Sequence, residues 1–97
     1  MFNNSFLKKL NILFIESNDE DREHFSNILY KFFNNVIVCS NGKDGIDNFL
    51  EKRQEYFVDI IICDKTLEDI TGIEVSKKIR EIDSEIPFII TSPKIEV

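Results

Sequence analysis

Four short apolar runs punctuate this chain, and the blocks between them carry apolar residues at helical spacing. The runs are LNILFI at 10–15, NVIVC at 35–39, VDIIIC at 58–63 and PFII at 87–90. The blocks at 20–33, 43–53 and 71–82 each gather apolar residues on one face. Phe25, Ile28, Leu29, Phe32 and Phe33 do so in the first, Ile46, Phe49 and Leu50 in the second, and Val75, Ile79 and Ile82 in the third. The predicted order is βαβαβαβ. Strands that alternate with helices assemble as a parallel sheet covered on both faces. Runs that are apolar throughout, rather than at every second residue, point the same way. With 97 residues the chain has room for one such α/β domain, over residues 1–97, and not for two.

In a doubly wound sheet, ligands gather beyond the carboxyl ends of the strands. That rule selects a short set of residues. The first run ends in Glu16, Ser17, Asn18 and Asp19. The third ends at Asp64, and the loop KTLEDITG follows; the fourth ends at Thr91 and Ser92. If the first and third strands are neighbours, Glu16 and Asp64 converge. Two carboxylates forced together raise one another's pKa unless a cation lies between them. A hard divalent ion such as Mg2+ suits one or two carboxylates plus water and a phosphate. A hydroxyl on the next strand has the chemistry to bond a phosphate oxygen held there.

Composition narrows the partners. A net charge of −6 argues against charge-driven binding to nucleic acid or anionic lipid. The N-terminus has no apolar segment followed by a small-residue cleavage site. No apolar run approaches the roughly 20 residues that span a bilayer. A cytoplasmic protein is the expectation. Cys39 and Cys63 sit inside apolar runs and lack a CxxC or histidine partner, so they read as buried, reduced thiols. The lone histidine, His24, reads as a surface or boundary residue beside the first helix's apolar stripe, and that stripe reads as core. Lys77–Arg80 (KKIR) reads as a solvated face.

The strand-end residues, in this order and spacing, resemble the receiver domain of two-component response regulators, the CheY-like family. ILFIESN is similar to the family's first strand with its acidic pair. DIIICDKTLEDITGIE is similar to the segment that carries the phospho-accepting aspartate, with Gly72 at the matching distance. IPFIITSP is similar to the fourth strand with its switch hydroxyl. The resemblance runs from Leu10 to Pro93. It implies an incomplete flavodoxin-like fold of four strands and three helices, without a fifth βα unit. It also implies a phosphoryl-accepting signalling domain rather than an enzyme. By the same resemblance Asp64 takes the phosphoryl group from a sensor histidine kinase or a phosphotransfer protein. Glu16, Asp64 and the backbone carbonyl of Thr66 hold Mg2+, and Ser92 is the switch hydroxyl.

Several positions depart from the family's pattern. Ser17 stands where a second acidic residue is usual, which weakens Mg2+ binding; with Glu20 it spells a capping box. Asp19 is the weaker candidate to replace the missing charge. Thr71 replaces an aspartate and with Glu74 spells another capping box. Glu68 replaces a common proline, which is expected to loosen the loop, and Lys65 reads as solvated. The sequence stops at Val97, where the family continues through a helix, a fifth strand with a phosphate-binding lysine and a last helix. Lys94 is too near Ser92 to replace that lysine. A fragment or truncation, with an output domain in a longer chain, is favoured over completion by a partner. The open sheet edge also invites pairing or swapping with a second copy. The competing function is a degenerate pseudo-receiver that binds proteins without phosphorylation. A nucleotide binder is disfavoured, because no glycine-rich loop follows the first strand.

Overall fold

The structure is a computed structural model and describes residues 5–55 and 57–92. Each apolar run forms a strand and each amphipathic block a helix. In chain order these are β1 (Asn11–Ile15), α1 (Asp19–Phe32), β2 (Asn35–Cys39), α2 (Gly42–Lys52), β3 (Ile60–Asp64), α3 (Gly72–Ile82) and β4 (Phe88–Thr91). A short 3-10 turn, Leu7–Lys9, precedes β1 and had no signal in the sequence. The strands pair in parallel in the order β2-β1-β3-β4. This is the flavodoxin-like doubly wound arrangement, with four strands and three helices among the described residues. Lys94 lies outside the described residues.

The core sits between the sheet and the α2–α3 layer. Leu13, Ile15, Ile61 and Cys63 point from the strands into Phe49, Val75, Ile79 and Ile86. Gly42 and Gly45 let α2 close onto this face. A Cβ at Gly45 would meet Ile15 Cδ1 at 2.3 Å, and one at Gly42 would meet Ile70 Cγ1 at 2.5 Å. Because Gly42, Gly45 and Phe49 take the inward face of α2, Leu50 is carried off it and is 42% exposed, against its expected place in the core.

The other face differs more from expectation. Ile12 and Phe14 are buried there, but of α1 only Ser26 is buried. Phe25, Ile28 and Phe32, read as core, are each more than a third exposed. The physical reason is that α1 is the only helix on this face among the described residues, so its stripe packs along one flank and leaves the other open. A groove of about 190 Å³ runs between α1 and the sheet, along Phe14, Phe25, Ile28, Leu29 and Ile62. β4 has β3 as its one neighbour among the described residues, and Ile89 and Ile90 on it are exposed. Cys39 and Cys63 are free, buried thiols, as expected. Burial first, then the Asp44 charge, pushes Cys39 up to about 11.

Candidate functional site

β1 and β3 are adjacent, and Ile15 lies level with Cys63. One step further along each strand come Glu16 and Asp64, so the two carboxylates predicted to converge stand side by side at the carboxyl edge. The ladder to β4 continues to Asp64, which lies level with Thr91. Asp64 is therefore the last residue of β3 rather than the first of a loop. Its side chain is held by strand geometry, and Lys65 N–H donates to the Thr91 carbonyl at 2.8 Å to lock that register.

Both carboxylates are buried: Glu16 is 3% exposed and Asp64 6%. The Glu16 backbone N–H donates to the Cys39 carbonyl at 3.0 Å, which extends the β1–β2 ladder by one residue. Its carboxylate accepts from the Asn18 N–H at 3.1 Å. Burial pushes the Glu16 pKa above its ordinary value of 4.5; the Asn18 bond opposes this, and the charge and hydrogen bonding of Asp64 reinforce it. Asp64 Oδ1 is buried without a hydrogen-bond partner. Cys63 reports the same negative field. Burial, then the charges of Asp64, Glu16 and Asp69, raise its thiol to about 12. A buried carboxylate oxygen with no donor, beside a second buried carboxylate, is the donor set of a hard divalent cation. These residues fit Mg2+. No group of three His, Cys, Asp or Glu side chains that would hold a metal exists among the described residues. Glu16 and Asp64 are the buried carboxylates at this site.

Thr66 follows two residues on, in the neck of the loop after β3, opposite Thr71 in an isolated bridge. Ser92 stands just past β4, exposed, and lines the polar end of the groove with Glu16 and Thr91. The four predicted site residues therefore cluster at the ends of three adjacent strands.

Ser17 does not cap α1. Asn18 is the N-cap, and its side chain accepts from the Asp21 N–H at 2.9 Å. Ser17 Oγ instead donates to the Ser40 carbonyl at 2.7 Å and accepts from the Glu68 N–H at 3.0 Å, joining three strand-end loops. This also overturns the loosening expected from Glu68. The N–H that a proline would lack is donated to Ser17 Oγ and is one of the bonds that tether the loop. Asp19 turns away to solvent and pairs with Arg22 at 2.6 Å, so it does not replace the missing acidic ligand. Thr71 and Glu74 do form the predicted capping box at the start of α3.

Sequence reasoning missed Arg22 and Asp69. The Arg22 guanidinium donates to the carbonyls of Glu16 and Ser17 at 3.0 and 3.2 Å, fixing the turn after β1. Asp69 accepts from the N–H groups of Gly42 and Lys43 at the start of α2, at 2.8 and 2.9 Å. Partial burial works to raise its pKa, and backbone hydrogen bonds led by those two outweigh it and hold the carboxyl below its ordinary 3.8. The only sequence signal for Asp69 was an aspartate in a loop facing an N-terminal helix turn, and pairing the two needed the fold.

Known proteins share this geometry. The family model for the response regulator receiver domain matches residues 12–97. The sensory transduction protein LytT of Oceanobacillus iheyensis is 35% identical over 86 residues, which cover 87% of this chain and 34% of that protein. This chain thus spans about a third of that relative's length. Among solved structures, the N-terminal domain of an uncharacterized protein from Wolinella succinogenes superposes with a TM-score of 0.77 at 26% identity, covering 90% of this chain and 67% of that one. The CheX–CheY–BeF3–Mg2+ complex from Borrelia burgdorferi has a matching fold, with a TM-score of 0.77 at 20% identity, over 88% of this chain and 63% of that one.

Proposed function

This chain belongs to the response regulator receiver domain family, and from that premise we propose that Asp64 accepts a phosphoryl group from a histidine kinase or a phosphotransfer protein. The observation that carries the reading is the buried, partnerless Oδ1 of Asp64 beside the buried Glu16. An Asp64 carboxylate oxygen attacks phosphorus, and a P–O bond forms as the P–N bond to the donor histidine breaks. The electron pair leaves on the imidazole, which takes a proton from solvent. β3 aims the nucleophile from the carboxyl edge of the sheet. Glu16, Asp64 and the Thr66 carbonyl would hold Mg2+. There it would supply positive charge that offsets the negative charge gathered at the two carboxylates. Ser92, at the rim, bonds the new acyl phosphate and carries the change to the surface beyond β4.

A cytoplasmic location accompanies this reading. So does an output function in a longer chain, and pairing of the open β4 edge with a second copy is the corresponding proposal for self-association.

The test is an amide NMR titration with Mg2+ and beryllofluoride, with Asp64→Asn as control. Shifts around Asp64 and Ser92 that the control lacks support the reading. A folded chain that responds to neither ligand refutes it and leaves the phosphorylation-independent interaction module.

A further inference from the structure

The loop between β3 and α3 is held at two levels. At its neck, Gly72 N–H donates to the Lys65 carbonyl at 2.9 Å, and Thr66 faces Thr71. Only glycine allows this closeness, since a Cβ at Gly72 would meet the Asp64 carbonyl oxygen at 2.4 Å. At its tip, two consecutive residues are pinned from outside. Glu68 N–H donates to Ser17 Oγ, which itself donates to the Ser40 carbonyl. The two oxygens of Asp69 accept separately from the N–H groups of Gly42 and Lys43. Those N–H groups open α2, where no carbonyl of the helix can reach them and the helix dipole favours a negative charge. Asn41, the N-cap of α2, serves the Asp44 N–H instead, at 2.8 Å. Asp69 thus completes the cap of α2 from a loop distant in sequence, through two charge-assisted bonds.

We propose that Asp69 is a positioning residue for phosphoryl transfer: by clamping the loop tip to the first turn of α2, it fixes the neck that carries Thr66 beside Asp64 before any ligand arrives. The proposal rests on the acceptor role given to Asp64 above. The Asp69 carboxylate bonds the α2 backbone and not Asp64 or Glu16, so its positioning effect passes through the backbone, beside the field that its charge adds near Cys63. A loop already ordered needs no ordering when the phosphoryl donor binds, and a small displacement of positioned groups lowers a transfer rate steeply.

The experiment compares the wild-type chain with Asp69→Ala and Asp69→Asn. Amide hydrogen exchange at Gly42 and Lys43 is read without ligand, and the rate of phosphorylation by acetyl phosphate at saturating Mg2+ is read alongside it. Far-UV circular dichroism checks that each variant folds. In Asp69→Ala, exchange at the two amides rises about tenfold or more, and the phosphorylation rate falls by about tenfold. Asp69→Asn, which keeps one accepting oxygen, recovers part of both. Unchanged exchange in Asp69→Ala overturns the clamp. Faster exchange with an unchanged rate overturns the positioning role while the acceptor reading stands. A wild-type chain that takes no phosphoryl group overturns the acceptor reading and the positioning role with it.

Discussion

Replacing Asp64 with asparagine removes one of two adjacent buried carboxylates without changing shape. In the metal-free protein, Asp64 Oδ1 lies buried with no donor, and Glu16 beside it is pushed towards its protonated form. A buried acceptor without a partner costs about 1–3 kcal/mol, and more when it is charged. The amide of the substituted side chain turns an N–H donor towards Glu16 and ends the repulsion. Asp64→Asn is therefore expected to stabilise the metal-free fold by about 2 kcal/mol, or roughly 10 °C in Tm for a domain of this size. Mg2+ narrows the gap. At about ten times its Kd the ion stabilises the wild type by about 1.4 kcal/mol, and the variant gains little. The pH dependence has a definite sign. Glu16 has a folded value above 4.5, so its contribution to stability is complete below that pH and is lost as pH rises through the raised value. The gap between variant and wild type in EDTA therefore opens over that rise. Thermal melts in EDTA and in Mg2+, across pH, measure all three effects. If Asp64→Asn melts at or below the wild type in EDTA near neutral pH, the repulsion argument is wrong. An equal Mg2+ response in both proteins removes Asp64 from the metal site.

Other perturbations separate the remaining contacts. Gly72→Ala drives a Cβ onto the Asp64 backbone oxygen, which cannot yield as a side chain does; a loss of about 2–3 kcal/mol in urea unfolding is expected. At Gly45 the added Cβ meets Cδ1 and Cγ1 of the buried Ile15 side chain; gained helix propensity of about 1 kcal/mol offsets only part of the crowding, and the same assay should find a loss of about 1 kcal/mol, smaller than at Gly72. Ser17→Asp adds a carboxylate beside Glu16 and removes the donor to the Ser40 carbonyl. It is expected to lose about 1 kcal/mol in EDTA and to bind Mg2+ more tightly by isothermal titration. Ile79→Ala, at a fully buried position, should cost about 2–5 kcal/mol, whereas Phe25→Ser on the open flank of α1 should cost under about 1 kcal/mol by chemical denaturation.

The sequence alone determined the element order and the acidic strand ends. Local patterning carries that information: solid apolar runs specify strands buried on both faces, 3.6-residue spacing specifies the helices, and Thr71 with Glu74 specifies where α3 begins. It brought Glu16 and Asp64 together only on the condition that β1 and β3 are neighbours, and the strand order β2-β1-β3-β4 meets that condition. Burial and loop tethering were decided only in three dimensions. The Phe25 and Ile28 stripe has the pattern of a core helix, but pattern records which way a side chain points and not what covers it. On that face α1 stands alone among the described residues. Ser17 obeyed a capping rule that Asn18 satisfied first, and the freed hydroxyl went to Ser40 and Glu68, which lie on other loops. Asp69 reaches α2 from the loop after β3. A hydrogen bond between residues so far apart leaves no local trace, since only the packing of α2 against β1 and α3 brings its donors within reach.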